Sequence, residues 1–166
     1  MKSVKVFSPA TIGNVGPGFD TLGMAIKSMG DTIEARQILG DQIIIEDILN
    51  ADHDISSDPK KNTAGIAVRE AMNLMGISQG ISLLISKGMP SGSGLGSSAA
   101  SAAAGACAVN ILFENKLSRD ELLQAAMAGE YSVSGGYFAD NVAPAIYGGA
   151  TLTRSLDPLQ VTPLGT

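Results

Sequence analysis

The segment at positions 90–98, Pro-Ser-Gly-Ser-Gly-Leu-Gly-Ser-Ser, has the residue types and spacing to bind a phosphate. Its glycines at alternate positions, Gly92, Gly94 and Gly96, let the backbone turn tightly and approach a ligand without a Cβ clash. The N–H groups of such a loop, and those that open a following helix, can point at one place that favours an anion. Ser97 and Ser98 add hydroxyls that can reach a phosphate or its Mg²⁺.

This loop differs from the two commonest phosphate-binding motifs. No lysine follows Gly96, as a P-loop requires, and the second and third glycines are one residue too close for the dinucleotide fingerprint. The structural alternative is a Gly/Ser turn between a strand and an alanine-rich helix. Phosphate binding is favoured because the glycines, the serine pair and the helix start fall in register.

The elements that must position this loop follow from the hydrophobic pattern. A strand at 81–86 precedes the loop and a helix at 97–113 follows it. Further along the chain, Gly135 and Gly136 are expected to interrupt regular structure. Because strands come first and mixed strands and helices follow, the pattern predicts an α+β fold. Pro9 is expected to end the first strand, and residues 159–166 to trail off without a closing element. The other predicted elements are strands at 4–7, 22–26, 32–37, 43–46 and 147–154, an exposed connection at 50–61, a helix capped by Asn62 or Thr63 and ended by Gly76, a helix from Ser118 to about 128, and a short helical turn at 140–146.

Composition excludes several classes of protein. The chain has 166 residues, 45% of them apolar and 16% charged, which is typical of a folded globular domain. The net charge of −5 and the absence of tryptophan argue against nucleic-acid binding, and no apolar run is long enough for a membrane span. The only cysteine, Cys107, cannot form a disulfide within the chain and is expected to be a buried free thiol, so a cytoplasmic location is expected.

Two further segments carry a resemblance to a known family. Residues 9–23 read Pro-Ala-Thr-Ile-Gly-Asn-Val-Gly-Pro-Gly-Phe-Asp-Thr-Leu-Gly, and residues 140–149 read Asp-Asn-Val-Ala-Pro-Ala-Ile-Tyr-Gly-Gly. With the glycine-rich loop, in this order, they resemble the GHMP kinases and, within them, the homoserine kinases. The resemblance extends over nearly all of residues 2–154.

The resemblance implies an activity and an architecture. The activity is phosphoryl transfer from ATP, with Mg²⁺, to the side-chain hydroxyl of L-homoserine in threonine biosynthesis. The implied fold is the GHMP kinase N-terminal domain, which looks like the second domain of ribosomal protein S5 and has a left-handed βαβ crossover. Residues 1–154 would form this domain, and 155–166 would begin the connection to a C-terminal domain, in an enzyme that is a homodimer at full length.

The resemblance also implies roles for individual residues. Ser98 and Glu130 match the Mg²⁺ ligands, and Asn62 lies where the family contacts the nucleoside. Asp20 and Asn141 are assigned to catalysis, although Asp20 is expected to orient substrate and no firm base is assigned. The substrate-binding positions are Asn14, Asp20, Asp140 and Asn141. The residues expected to hold the phosphates are Pro90, Ser91, Gly92, Ser93, Gly94, Leu95, Gly96, Ser97, Ser98, Ala99 and Ala100.

Each of these residues also has a purely structural interpretation. Asp20 could cap a turn, Asp140 could cap the helical turn that follows it, Asn14 could occupy a left-handed turn position, and Glu130 could be a solvated helix-end residue. Function is favoured for the set because homoserine carries an ammonium, which needs carboxylates. Mg²⁺ prefers oxygen ligands and keeps several waters, so one hydroxyl and one carboxylate suffice.

The chain departs from the family pattern in two respects. Phe138 stands where the family usually has histidine, and the only histidine, His53, lies in the polar connection, where it is expected to be solvated. The chain is also shorter than the family's enzymes and has no second glycine-rich motif.

The sequence leaves three rival functions. The first is another small-molecule GHMP kinase, and the second is an inactive nucleotide-binding fragment. The third is a serine hydrolase, which is disfavoured because no Gly-x-Ser-x-Gly elbow is present.

Overall fold

The computed structural model describes residues 2–90, 92–136 and 138–165. A single sheet carries the strands in the order β3-β4-β2-β5-β6, and β1 pairs with β2. The elements in chain order are β1 (Ser3–Ile12), β2 (Leu22–Ile38), β3 (Ile43–Leu49), α1 (Thr63–Met75), β4 (Gly80–Ser86), α2 (Ser97–Leu112), α3 (Arg119–Ser134), α4 (Val142–Tyr147), β5 (Ala150–Leu156) and β6 (Leu159–Gly165).

The sheet is mixed, as expected for the α+β class. Strands β3 and β4 are parallel and are joined through α1, which forms a βαβ unit. The pairs β1–β2, β2–β4, β2–β5 and β5–β6 are antiparallel. The α+β prediction is therefore confirmed, while the left-handed crossover stays a prediction.

Helix α2 lies at the centre of the core. It contacts α1, α3, β1 and β2, and its seven alanines are all buried. Small side chains let neighbouring helices approach closely, and Gly129 of α3 shows this directly: a Cβ there would collide with the backbone oxygen of Thr63. Cys107 of α2 is a free, partly buried thiol, and burial raises its pKa to about 11.

The helix ends agree with the sequence signals. The side chain of Asn62 caps α1 by accepting from the N–H groups of Ala64 and Gly65, and Gly76 ends the helix at φ 65°. Ser118 and Glu121 form the predicted capping box at the start of α3. The glycine-rich segment at 90–98 is called the phosphate loop below. The predicted strand before it and the predicted helix after it, β4 and α2, are also confirmed.

Four predicted boundaries were wrong. Strand β1 continues through Pro9 to Ile12 with a register shift after Pro9, and the two strands predicted at 22–26 and 32–37 are one 17-residue strand. Helix α3 continues past residue 128, through Gly129, to Ser134. Residues 159–165 form β6, which pairs with β5. Pro9 and Pro163 are tolerated because each lies in a strand with one neighbour, where a missing N–H can face away from the ladder.

Candidate active site

The glycine-rich loop has the backbone conformation that its sequence requires. Gly92, Gly94 and Gly96 all have left-handed φ angles, 65°, 72° and 62°. Gly96 is the N-cap of α2 and provides no side chain to cap it, so the first N–H groups of this helix have no side-chain acceptor at that position. Ser91 lies outside the described residues.

The loop forms one wall of a cavity of about 380 Å³. Asn62 also lines the cavity, but its amide already caps α1 and donates to the backbone oxygen of Ser56 at 2.9 Å. His53 also lines the cavity; its side chain is half exposed and its Nδ1 lies 3.1 Å from Asp52. The cavity therefore has room for a ligand directly in front of the start of α2.

The side chains of Ser98 and Glu130 place two oxygen atoms that could bind a metal ion next to each other, and Ser98 lines this cavity. The Ser98 hydroxyl, in the first turn of α2, donates to Oε1 of Glu130 in α3 at 3.0 Å. Burial raises the pKa of Glu130, the Ser98 hydrogen bond and the charge of Lys87 oppose that shift, and the charge of Asp140 adds to it. Among the described residues no cluster of three or more His, Cys, Asp or Glu side chains could hold a metal. One hydroxyl and one carboxylate nevertheless fit Mg²⁺, which keeps several waters.

The predicted substrate-binding residues come together in a second cluster. Asp140 is 2% exposed, and its Oδ2 accepts from the backbone N–H of Asn14 at 3.0 Å. Oδ1 of Asn14 accepts from the N–H of Asp20 at 2.9 Å. Gly13 packs so tightly that a Cβ would collide with the Asp140 carboxylate. Asn14 and Asp140, which are 126 positions apart in the chain, are therefore held together with Asp20 in one group, the acidic cluster.

Electrostatics within this cluster favour a cation. Burial raises the pKa of Asp140, the Asn14 N–H lowers it, and the negative charge of Asp20 raises it again. Two carboxylates that repel each other in a partly buried place are stabilised by an ammonium group. Asn14 and Asp20 have φ angles of 55° and 56°, so the backbone of the loop is in a sparsely populated conformation at both positions.

The phosphate loop and the acidic cluster are joined through Thr11 and Asn141. The backbone N–H of Thr11 donates to the backbone oxygen of Leu95 at 3.0 Å, and the Thr11 hydroxyl donates to Oδ1 of Asn141 at 3.0 Å. The phosphate loop and the acidic cluster therefore meet at the end of β1. Thr11 was not singled out from the sequence, because its role depends on two partners that are distant in the chain.

A buried ion pair below the loop was also missed. The Asp31 carboxylate accepts from Lys87 Nζ, from the hydroxyls of Ser101 at 2.6 Å and Ser97 at 3.2 Å, and from the N–H of Gly88 at 3.0 Å. Lys87 Nζ also donates to Ser101 Oγ at 2.8 Å. The pair joins β2 to the start of α2. The sequence signal that could have indicated this ion pair is the charged residue Asp31 within the apolar pattern of β2.

Phe138 takes the place that the family resemblance gives to histidine. Its side chain is 40% exposed, and its ring packs against Gly136, where a Cβ would collide with it. An aromatic hydrocarbon therefore stands two residues before Asp140, where no side-chain hydrogen bond can be offered.

Comparisons with known proteins agree on one family. A sequence profile of the GHMP kinases N terminal domain matches residues 62–149. A homoserine kinase of Arabidopsis thaliana is 49% identical over 166 residues, covering 98% of this chain and 45% of the relative. A homoserine kinase of Methanococcus maripaludis is 46% identical over 161 residues, covering 97% of this chain and 53% of the relative. The chain thus spans about half the length of these curated relatives.

Solved structures show the same similarity. A crystal structure of homoserine kinase from Cytophaga hutchinsonii matches with a TM-score of 0.93 and 46% identity, covering 99% of this chain and 52% of that one. The Methanococcus jannaschii mevalonate kinase matches with a TM-score of 0.76 at 19% identity, covering 99% of this chain and 56% of that one. At that identity the second match shows the fold alone.

Proposed function

The chain belongs to the GHMP kinases, and from that premise we propose that the protein transfers the γ-phosphoryl group of ATP to the side-chain hydroxyl of L-homoserine. The observation that carries the proposal is the contact between the phosphate loop and the acidic cluster through Thr11 and Asn141. A phosphoryl donor in the loop and an amino-acid acceptor at Asp140 would then be neighbours. The high identity to homoserine kinases supports this acceptor over others.

The nucleotide is proposed to lie in the cavity in front of α2. The N–H groups of the loop and of the first turn of α2 would bind its phosphates, since a helix N-terminus favours an anion. Lys87 contributes little positive charge here because it is neutralised by Asp31. Asn62 is proposed to border the nucleoside by shape rather than by its amide, which is engaged in the cap.

Mg²⁺ is proposed to be held by the Ser98 hydroxyl and the Glu130 carboxylate. When bound, it would neutralise charge on the phosphate oxygens. The chain itself keeps these two oxygens 3.0 Å apart by packing α3 against α2 and α1. Deprotonated Glu130 is required for this role; burial raises the pKa of this carboxyl, and the hydrogen bond from Ser98 and the charge of Lys87 oppose part of that shift.

The acceptor is proposed to bind with its ammonium at Asp140 and Asp20. Asn14 holds both residues through its backbone N–H and its side-chain oxygen. Asn141 would contact the reacting region, because its amide lies between the acidic cluster and the phosphate loop. No general base is assigned, since phosphoryl transfer depends mainly on positioning and charge stabilisation.

The cellular setting and the assembly are proposed on narrower grounds. A cytoplasmic enzyme of threonine biosynthesis is supported by the homoserine kinase similarity and by the single cysteine. Residues 1–154 are proposed as the N-terminal domain and 155–166 as the approach to a C-terminal domain, although β6 extends the sheet beyond residue 154. The homodimer rests on the family resemblance alone, and the net charge of −5 supports no nucleic-acid partner. Within the described part of the chain, no helix is long and apolar enough to cross a membrane.

A substrate panel tests the proposed activity. ADP release by the full-length protein would be measured with L-homoserine, L-threonine, mevalonate, shikimate and galactose at matched concentrations. We expect the highest kcat/KM with L-homoserine, and loss of turnover when Mg²⁺ is removed with a chelator. Greater turnover on another alcohol would reassign the acceptor within the family, and ATP hydrolysis that no alcohol accelerates would reject the kinase proposal.

A further inference from the structure

Thr11 lies between the phosphate loop and the acidic cluster and makes one hydrogen bond toward each of them. Its backbone N–H binds the oxygen of Leu95 and its hydroxyl binds Oδ1 of Asn141, both at 3.0 Å. The side chain of Thr11 is completely buried. It therefore cannot touch a bound substrate, and any effect it has on the reaction must pass through its neighbours.

The packing around the Thr11 hydroxyl leaves little freedom. A Cβ on Gly96 would collide with Thr11 Oγ1 and would lie 2.9 Å from Asn141 Oδ1. Three groups from β1, the phosphate loop and the N-cap of α4 thus meet at one point. Because close-packed interiors transmit small shifts, a change in this contact moves the Asn141 amide relative to the loop.

The structure also records which way the Asn141 amide faces. With Oδ1 directed at the Thr11 hydroxyl, the NH₂ group is directed toward Gly13 and the acidic cluster, since a Cβ on Gly13 would lie 2.6 Å from Nδ2. An asparagine amide can donate only from its nitrogen. The donor side of Asn141 is therefore presented where the acceptor would bind.

We propose that Thr11 is a positioning residue for phosphoryl transfer: its hydroxyl orients the Asn141 amide and its backbone ties that amide to the phosphate loop. The proposal rests on the proposed function, in which Asn141 contacts the reacting region. Its structural alternative is that threonine stands in β1 only because a β-branched residue suits a buried strand. Valine and serine separate these two roles, because each keeps one half of the threonine side chain.

Thr11→Val keeps the shape and strand preference but removes the hydroxyl, and Thr11→Ser does the reverse. In the full-length protein, we expect Thr11→Val to lower kcat for L-homoserine by roughly 10-fold or more while KM for ATP stays unchanged, because one orienting hydrogen bond is lost. We expect Thr11→Ser to keep nearly full kcat, although losing the buried methyl group lowers its Tm more than the valine change does. If kcat follows Tm in the two variants, or if Thr11→Val retains full kcat, the proposal is overturned.

A double-mutant cycle identifies the route of the effect. If Thr11 acts through Asn141, Thr11→Val should cause no further loss of kcat in an Asn141→Ala background. Additive losses would overturn the proposed route.

A spectroscopic reading keeps the proposal testable if homoserine is not the substrate. The Asn141 side-chain amide signals, assigned by their loss in Asn141→Ala, should shift in Thr11→Val and keep their position in Thr11→Ser. Unchanged signals in Thr11→Val would overturn the proposal whatever the substrate is. Inactive wild-type protein in which the signals shift as expected would instead reject only the homoserine assignment.

Discussion

Among single residues, Ser98 and Glu130 form the proposed metal site with two oxygen atoms held side by side. The hydroxyl of Ser98, which lines the cavity, and Oε1 of Glu130 come from different helices and lie 3.0 Å apart. We expect Ser98→Ala and Glu130→Gln each to lower kcat about 100-fold or more, because charge stabilisation in the transition state is lost. The measurement is kcat as a function of Mg²⁺ concentration in the full-length protein.

Two matched variants control for general damage. Ser78→Ala and Glu46→Gln make the same chemical changes at exposed positions and should leave kcat unaltered. Near-normal kcat in both Ser98→Ala and Glu130→Gln at saturating Mg²⁺ would remove these residues from the metal site.

Asp140 separates binding from stability. Asp140→Asn should raise KM for L-homoserine more than KM for ATP, because the proposed contact with the substrate ammonium loses its charge. It should not lower the Tm at neutral pH, because burial penalises the charged carboxylate that the variant lacks. An unchanged KM for homoserine would leave Asp140 with a structural role only.

The pH dependence of stability gives an independent reading of Asp140. Its pKa is raised by burial, so the folded protein holds this proton more tightly than the unfolded chain does. The stabilisation is fully present at pH values below the unfolded pKa and is lost as pH rises through the folded pKa. The Tm of the wild type relative to Asp140→Asn should therefore fall as pH rises through the acidic range.

The residues of the site were predictable only as far as they lie in continuous motifs. The loop at 90–98, Asp140 and Asn141 stand in segments that could be read directly from the chain. Asp31 and Lys87 lie outside those motifs, and their roles depend on each other across 56 positions of the chain. Thr11 lies within the motif at 9–23, but its role depends on partners that are distant in the sequence. No local pattern encodes such a contact.

At the scale of elements, the phosphate loop is supported by a buried ion pair. Asp31 and Lys87 have side chains that are 0% and 8% exposed, and they connect β2, the end of β4 and the start of α2. Lys87→Met should destabilise the protein by about 3–5 kcal/mol, because Asp31 would be left buried without a counter-charge. Denaturant unfolding would measure this change, with the exposed Lys61→Met as the control.

Combining the change with Asp31→Asn tests whether the loss comes from an unpaired charge. The double variant Asp31→Asn/Lys87→Met should be less destabilised than Lys87→Met alone, since no isolated charge remains buried. Equal or additive destabilisation would mean that the two side chains act independently.

The elements themselves were predicted best where the ends carry chemical signals. The caps at Asn62, Gly76 and Ser118 define α1 and the start of α3, because each satisfies backbone groups that the helix leaves unpaired. The predicted end of α3 at about residue 128 was wrong because the helix continues through Gly129, whose lack of a Cβ serves close packing against Thr63. A terminating glycine and a packing glycine look alike in the sequence, and only tertiary contacts distinguish them.

Strand pairing could not be predicted from local patterns either. Strand β6 contains Pro163 and lies at the edge of the sheet, where β5 is its only partner within the described part of the chain. Its stability comes from that pairing and not from its own residue preferences. Strand β2 was likewise predicted as two strands, at 22–26 and 32–37. In the structure it continues on both sides of Ser28, whose φ is 72°.

At the scale of the whole molecule, the site lies open on one domain. Gly92, Ser93 and Gly94 are exposed, and the chain spans about half the length of its curated relatives. An open site leaves water around a γ-phosphate, which reduces the fraction of bound substrate in a reactive geometry. We therefore expect the 166-residue chain alone to release little ADP with homoserine, compared with the full-length protein at equal concentration.

This expectation has a direct check. Calorimetry would compare Mg²⁺·ATP binding by the short chain and the full-length protein, and light scattering would report self-association through the exposed apolar side chains, which include Phe19 and Leu39. Turnover by the short chain at the full-length rate would mean that this domain contains the complete catalytic site.

The central claim is that the phosphate loop and the acidic cluster hold the two substrates of one transfer. A crystal structure of the full-length protein with Mg²⁺, a non-hydrolysable ATP analogue and L-homoserine tests it most directly. We expect the triphosphate along residues 92–98, the ammonium at Asp140 and Asp20, and the side-chain hydroxyl about 3–3.5 Å from the γ-phosphorus. Homoserine bound away from Asp140 and Asn141, or a triphosphate outside the loop, would contradict the account.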